Sequence, residues 1–481
     1  MRNFISTSLK SVAMMLAAAF LTVSCHKDKN EDYTLVFSSP AAYFEYGQTQ
    51  TLAFVRSGNV TKLTLSSVPE GWNATLNVSA GTLAVMAPDS LDETENGEGE
   101  TVTPAEYGPI VVRGYVGDRA VSASVFVSLV GMVDLSSTHA NSFVLTKPLN
   151  GYRISASRPD GSAVEGIDNV ELVWLSTRYV IRYPEYRNGK ITFSTHSDDD
   201  DELVEGNALL AAKDADGNIL WCWHLWAVKE DPAENPVRLN GHTFMGYNLG
   251  AFGNAGGGDG GDDDSILASY GLYYQWGRPT PFPRPRYYNC AGAANESLYT
   301  EEVTSVAMKV EEDDTENSTM AAAIANPLVF VTGLDEPWGG GSPSWSDERK
   351  SNFDPCPAGW RVPSGNVFEG LRIVAAELEG ELSELDRAYG WRLTDGGDEA
   401  FFFAGGRRSY LDGSVVNMNT QETPKPWEGF YWTTTLDASR STAQCMFFDL
   451  NTEDASRSVL NPARRLQLSN GLQVRCVRDG E

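Results

Sequence analysis

The chain has 481 residues and a formal net charge of -28, from 37 basic and 65 acidic side chains. Such a balance disfavours nucleic acid and anionic lipid headgroups as partners, because phosphate binding needs clustered Lys and Arg. The length accommodates two to four domains of ordinary size.

Arg2 and Lys10 precede an apolar run over residues 12 to 23. That run is shorter than the ~20 residues a spanning helix needs, and it reads as the core of a secretory signal. Leu21-Thr22-Val23-Ser24-Cys25 forms a loose lipobox. Residues 1–24 are therefore expected to be a lipoprotein signal peptide, and Cys25 the lipidated residue. The alternative is an ordinary signal peptide followed by an incidental cysteine. Residues 25–32 are charged and are expected to form a disordered tether. Their acidic residues resemble the export signal of Bacteroides-type surface lipoproteins. The implied location is the outer membrane, lipid-anchored, at the cell surface.

Residues 33–131 alternate apolar and polar at Thr51–Val55, Leu63–Leu65, Thr82–Val85 and Val121–Val127, which predicts half-buried strands of a β-sandwich. Residues 89–106 interrupt this pattern with seven acidic and no basic residues, read as a solvated loop rather than a calcium site. Residues 132–233 form a second β-rich block. Ala215-Asp216-Gly217-Asn218 between two apolar runs predicts a hairpin. In the second of those runs Trp221 and Trp223 share one face, and Cys222, His224 and Trp226 the other. Cys222 and His224 read as a buried thiol and a packed histidine. The acidic runs Asp198–Glu202 and Gly256–Asp264 read as exposed loops.

From residue 234 Trp and Gly become frequent. Ser364 is positioned to cap a helix whose apolar residues Val367, Phe368, Leu371, Ala375 and Leu378 share one face. Ala321-Ala322-Ala323-Ile324 can open a shorter one. Four segments follow one another here: Gly271-Leu272-Tyr273-Tyr274-Gln275-Trp276-Gly277-Arg278, Asp354-Pro355-Cys356-Pro357-Ala358-Gly359-Trp360-Arg361-Val362-Pro363, Tyr431-Trp432-Thr433-Thr434-Thr435 and Val474-Arg475-Cys476-Val477-Arg478-Asp479. In this order they resemble the Fibrobacter succinogenes major paralogous (FISUMP) domain family over residues 234–481. The resemblance implies an α+β C-type-lectin-like domain of secreted and surface lipoproteins. Two positions depart from the family pattern, Gly246-Tyr247-Asn248-Leu249-Gly250-Ala251 and Thr433-Thr434. Asn207 to Trp226 resembles a β module of fimbrillin-like surface proteins. Val68-Pro69-Glu70-Gly71-Trp72 resembles immunoglobulin-like or BACON-type modules. The expected architecture is thus multidomain and mainly β, two immunoglobulin-like β-sandwich modules followed by the lectin-like domain.

Besides Cys25 the chain has Cys222, Cys290, Cys356, Cys445 and Cys476, an odd number that leaves at least one thiol unpaired. A Cys356–Cys476 disulfide would tie the entry of the expected helix to a terminal strand, the alternative being two buried free thiols. G-x-S-x-G, H-E-x-x-H and P-loop motifs are missing from the sequence, and its five histidines show no ligand spacing. The chain is therefore read as a binding protein rather than an enzyme, with no metal and no cofactor. Paired carboxylates far apart in sequence keep a glycan-active enzyme as an alternative. Candidate ligand-stacking residues are Trp338 and Trp345, which flank a glycine run, with Tyr273, Tyr274 and Trp276 behind them. Two functional readings follow. One is an adhesion or fimbria-associated protein that contacts a glycan, a host glycoprotein or fimbrial subunits. The other is a glycan-capture lipoprotein of a polysaccharide uptake system.

Overall fold

The computed structural model describes residues 33–44, 47–88, 94–95, 101–129, 131–198, 200, 202–253, 263–286, 295–339, 344–374, 390–416, 428–449 and 457–481. The signal segment, Cys25 and the tether lie outside these residues. So do Cys290, Ala375, Leu378 and most of the acidic runs at 89–106 and 256–264. The chain is mainly β, arranged in many small sheets. It divides into two compact units, one formed by the chain up to Val133 with Leu149–Tyr152 and Thr192–Ser194, the other by Asp134–Pro148, Arg153–Ile191 and Thr195–Glu481.

The first unit is a two-sheet sandwich. One sheet runs in the order Leu35–Phe37, Thr49–Arg56, Thr82–Met86, Asn73–Asn77, the other Ala41–Phe44, Arg119–Leu129, Tyr107–Val116, Thr61–Ser67. Ala41–Phe44 pairs parallel to the end of Arg119–Leu129 while its neighbours pair antiparallel. Lettered in chain order these sheets are A-B-E-D and A′-G-F-C, the arrangement of constant-type immunoglobulin domains with a short added strand. Alternate residues of both sheets meet in one core that includes Leu52, Phe54, Leu83, Val85, Ile110, Val112, Val125 and Val127. In place of an intersheet disulfide, Trp72 fills the core edge-on against Phe44 at 5.1 Å and donates its indole N–H to the Ala105 carbonyl at 2.7 Å. Gly71 makes the reversal before it. Its φ is +78°, and a Cβ there would come within 2.5 Å of Pro104.

Farther along the chain the strand order repeats. One sheet runs Met132–Asp134, Gly151–Ser155, Lys190–Thr195, Ile181–Arg187. The other runs Ser142–Leu145, Ile219–Ala227, Gly206–Lys213, Asn169–Leu175, and then continues with Leu298–Tyr299 and Ser305–Val306. The expected hairpin joins Gly206–Lys213 to Ile219–Ala227. Gly217 takes φ +84°, and the Asp214 carboxylate accepts the N–H groups of Asp216 and Asn218.

Packing is continuous across residue 233. A single apolar cluster holds Trp174, Leu209, Cys222 and Trp226 together with Met245, Leu249, Leu272, Trp276, Trp432 and the Cys356–Cys476 pair. Asn207 donates to the Gly250 carbonyl and Trp226 to the Ala251 carbonyl, so both sides also share buried hydrogen bonds. The C-terminal part is a set of short sheets, with helices at Asp263–Tyr270 and Met320–Ala325. Thr319 caps the second of these by accepting the Ala322 N–H.

The helix expected from Ser364 is not formed. Gly365–Phe368 is a single 3-10 turn, and the chain then reverses at Gly370 into the strand Arg372–Ile373. The Ser364 hydroxyl bonds Asn366 and caps nothing. Val367, Phe368 and Leu371 are buried together as the helical spacing required. A tight turn followed by a short strand brings them onto one core as well as a helix would.

Candidate functional site

The aromatic residues expected to stack on ligand are core residues. Tyr273, Tyr274, Trp276 and Trp345 are fully buried and Trp338 is 6% exposed. The Tyr274 hydroxyl is buried without a hydrogen-bond partner, and the polar atoms of the other four are engaged internally. Trp338 donates to the Trp276 carbonyl at 2.8 Å, Trp276 to the Thr433 carbonyl at 2.9 Å, Trp345 to the Phe353 carbonyl at 2.8 Å, and Tyr273 to the Gly405 carbonyl at 2.6 Å. Trp276 and Trp345 also pack on each other, ring centres 5.6 Å apart. A stacking platform requires exposed ring faces, and these rings are spent on joining short sheets that have little ladder of their own.

The cysteine-bearing segment is a brace. Cys356 and Cys476 form a disulfide. Asp354 beside it accepts the N–H groups of Cys356 and Val362 and the ammonium of Lys350. Lys350 in turn donates to the Cys356 and Trp360 carbonyls. Burial lowers the Lys350 pKa, and the Asp354 carboxylate opposes that shift. Cys222 and Cys445 are buried free thiols whose pKa values are pushed up to about 12 by desolvation. Thiols so protonated are poor nucleophiles and poor ligands. Among the described residues no group of His, Cys, Asp and Glu is placed to hold a metal ion.

One buried network has the connectivity of a nucleophilic triad. Ser142 Oγ lies 3.0 Å from His224 Nδ1, and His224 Nε2 lies 2.8 Å from Asn207 Oδ1. Asn207 donates its amide to the Gly250 carbonyl, so its oxygen faces the ring and Nε2 carries the proton. Ser142 also lies 2.6 Å from the Pro355 carbonyl, so one hydroxyl proton serves two acceptors. All three side chains are at most 1% exposed. Sealed from solvent and joining Gly206–Lys213 to the disulfide segment, the network is suited to orienting the two parts of the core.

The groups that do reach the surface in a chemically distinctive arrangement lie between residues 177 and 187, a segment reading Thr-Arg-Tyr-Val-Ile-Arg-Tyr-Pro-Glu-Tyr-Arg. Val180 and Ile181 are buried and fix this segment to the core, with Arg178, Tyr179 and Arg187 exposed and Arg182, Tyr183 and Tyr186 half-buried. Arg182 lies over the rings of both Tyr179 and Tyr183, at 5.4 and 4.5 Å, and donates to the Tyr183 hydroxyl. Arg178 lies 4.8 Å over the ring of Tyr299, which the hairpin Leu298–Tyr299/Ser305–Val306 brings alongside. Tyr179 meets His196 edge-on and remains 39% exposed. Neither Arg178 nor Arg182 makes an ion pair with a described residue.

This ledge is held in a costly backbone conformation. Tyr179 and Tyr183 have φ of 65° and 55°. For bulky L-residues such angles cost about 1–3 kcal/mol each and persist only where the surroundings over-determine them. The Tyr183 N–H donates to Glu301 Oε1 at 3.1 Å, which clamps the strained residue from the hairpin side. Ile181–Arg187 is the edge of its sheet, and Pro184 removes a donor from that edge. Asn188-Gly189, with φ of 50° and 77°, turns the chain back into Lys190–Thr195. The run from Arg178 to Lys190 holds four basic residues and one acidic residue, a net +3 within a chain of net -28. Its Arg/Tyr repetition is visible in the sequence and lies outside the Trp- and Gly-rich segments expected to bind ligand. Its partners Tyr299 and Glu301 lie more than a hundred residues away.

No family model matches the sequence, and no curated protein matches it. Among solved structures, the D00–D0 domain of intimin aligns over 40% of this chain and 96% of its own length at 13% identity, with a TM-score of 0.16. An endo-fucoidan hydrolase of glycoside hydrolase family 107 aligns over 40% of this chain and 28% of its own at 13% identity and a TM-score of 0.15. The insect immune protein hemolin aligns over 43% of this chain and 55% of its own at 13% identity and a TM-score of 0.14. Likenesses at such TM-scores carry no weight for fold or function, and the immunoglobulin-type arrangement rests on strand order alone.

Proposed function

We propose that this chain is a lipid-anchored cell-surface binding protein that contacts a glycan or glycoprotein through the Arg–Tyr ledge of residues 178–183 and Tyr299. The supporting observation is the ledge itself, the exposed Arg178 and Tyr179 beside the half-buried Arg182, Tyr183 and Tyr299, with Tyr179 and Tyr183 kept at positive φ on a β scaffold. Tyr and Arg are the residues that dominate binding energetics at such surfaces. Stacking each guanidinium on a ring reduces the entropy lost on binding. Anchoring through Cys25 and display by the charged tether follow from the first 32 residues of the sequence. A C-type-lectin-like reading of residues 234–481 follows from the resemblance described above. In this reading the C-terminal region serves the ledge as scaffold, through Tyr299 and Glu301, and its tryptophans hold that scaffold together.

Binding of the full chain, purified in detergent, to a glycan array tests the proposal. Tyr179→Ala is expected to abolish or weaken array binding about tenfold or more, with the melting temperature nearly unchanged, since Tyr179 is a surface residue. Array binding that Tyr179→Ala leaves intact would place the contact elsewhere. The anchor has its own test. Cys25→Ala is expected to move the protein from the outer-membrane fraction to the periplasm or medium, and continued detergent-sensitive membrane attachment of that variant would count against lipidation.

A further inference from the structure

We infer that the ligand of the Arg–Tyr ledge is an anionic saccharide, its carboxylate or sulfate held by the guanidinium edges of Arg178 and Arg182 and its ring seated against Tyr179; this rests on the ledge being the contact surface. The faces of both guanidinium groups are occupied by tyrosine rings, 4.8 Å away for Arg178 and 5.4 and 4.5 Å away for Arg182. What such a stacked group has left to offer is its rim of N–H donors, lying in the plane that a carboxylate or sulfate engages with paired hydrogen bonds. Arg178 is exposed and makes no ion pair among the described residues, so an incoming anion displaces only water. Glu301 lies near Arg182 and offsets part of its charge. It is also engaged by the Tyr183 N–H, whereas Arg178 forms no ion pair with a carboxylate among the described residues.

The charge pattern points the same way. The chain carries -28 overall, yet residues 178 to 190 carry a net +3. Arg187 pairs with Glu185, and Glu301 with Glu302 tempers the charge around Arg182, so the anion is admitted on the Arg178 side of the ledge and repelled by most of the remaining surface, which supplies specificity by exclusion as well as attraction. A neutral sugar would leave two guanidinium groups partly desolvated with no anion opposite them, a loss that carbohydrate hydroxyls repay poorly. The Tyr179 ring, 39% exposed, offers the apolar surface on which a pyranose face packs. Because the strained backbone already sets these side chains, little ordering is left to be done when the ligand arrives.

The test uses the full chain in detergent, immobilised and presented with oligogalacturonate, a sulfated galactan, neutral dextran and polyglutamate. Oligogalacturonate or the sulfated galactan is expected to bind, with affinity falling steeply between about 50 and 200 mM salt. Dextran and polyglutamate are expected not to bind. Arg178→Gln should weaken binding about tenfold or more, and Arg178→Lys by less, at unchanged melting temperature. Dextran binding that resists salt, is indifferent to Arg178→Gln and is lost in Tyr179→Ala would overturn the anionic ligand and leave the ledge standing. Anionic saccharide binding untouched by Arg178→Gln and by Tyr179→Ala would overturn the ledge itself. Polyglutamate binding as strong as that of the saccharides would remove the sugar from the proposal, and failure of every saccharide to bind would remove both readings.

Discussion

At the scale of single residues, the decisive property is how completely polar side chains are buried. His224 has its pKa lowered to about 3 by desolvation. The unfolded chain takes up a proton near the ordinary imidazole value of about 6.5, and the folded chain does not until about 3. Stability from this residue is therefore complete above pH 6.5 and is lost as pH falls through that window. The slope reaches about 1.4 kcal/mol per pH unit, for a total on the order of 5 kcal/mol. His224→Gln is expected to flatten the dependence of melting temperature on pH between 6.5 and 3, and an unaltered slope would refute the assignment. Three arginines show a related economy. Arg278, Arg408 and Arg475 are at most 1% exposed and donate mainly to backbone carbonyls, Arg475 to those of Met245, Gly246 and Phe401. The planar fork reaches several carbonyls at once, which an ammonium cannot. The same logic governs the tryptophans. Trp345→Ala removes a buried ring and a donor, so it should cost about 3–5 kcal/mol in urea unfolding, as cavity formation in a core does. Loss of ligand binding with stability intact would instead restore Trp345 as a contact residue.

At the scale of elements, the C-terminal region has strands of two to nine residues and must be held by something other than long ladders. The Cys356–Cys476 disulfide closes a loop of 120 residues. In the chain-entropy description such a closure contributes about 4–5 kcal/mol. Cys356→Ser/Cys476→Ser should lower unfolding stability by about that amount, and reducing agent should have the same effect on the wild-type chain but none on the variant. Asp354 is the second brace, because three donors from three different positions converge on its carboxylate. The Gly365–Phe368 turn makes the same point by failing to be a helix. Gly365 sits where a Cβ would come within 2.6 Å of Gln444, so the turn is chosen by the strand it rests on, and local helix propensity is overruled.

At the scale of the molecule, one apolar cluster spans residue 233, and the buried Ser142–His224–Asn207 network bonds the Pro355 and Gly250 carbonyls beyond it. The hairpin Leu298–Tyr299/Ser305–Val306 extends the sheet that begins with Ser142–Leu145. Residues 234–481 expressed alone would expose the partners of Leu209, Trp226 and Trp174. They are expected to be aggregated or loosely packed, with weak amide-exchange protection, whereas 33–481 folds. A cooperative unfolding transition of isolated 234–481 would argue that this cluster is dispensable.

The strands at Thr51–Val55, Thr82–Val85 and Val121–Val127 and the Asp216-Gly217 hairpin could be read from the sequence. The strands and the hairpin rest on a period of two and on a turn that tolerates positive φ, which are properties of neighbours along the chain; the disulfide joins residues 120 apart and was expected beside the alternative of two free thiols, which the fold decided. Placing Trp338 and Trp345 required the tertiary structure. Glycines and polar residues around a tryptophan describe an exposed loop and a tightly packed junction of short strands equally well. The Arg–Tyr ledge depended on it too, because Tyr299 and Glu301 reach Arg178 and Tyr183 only when the hairpin is added to the sheet. Periodicity determines which side of a strand is apolar. Only the sum of long-range packing decides which aromatic residues are consumed by the core and which are left for a ligand.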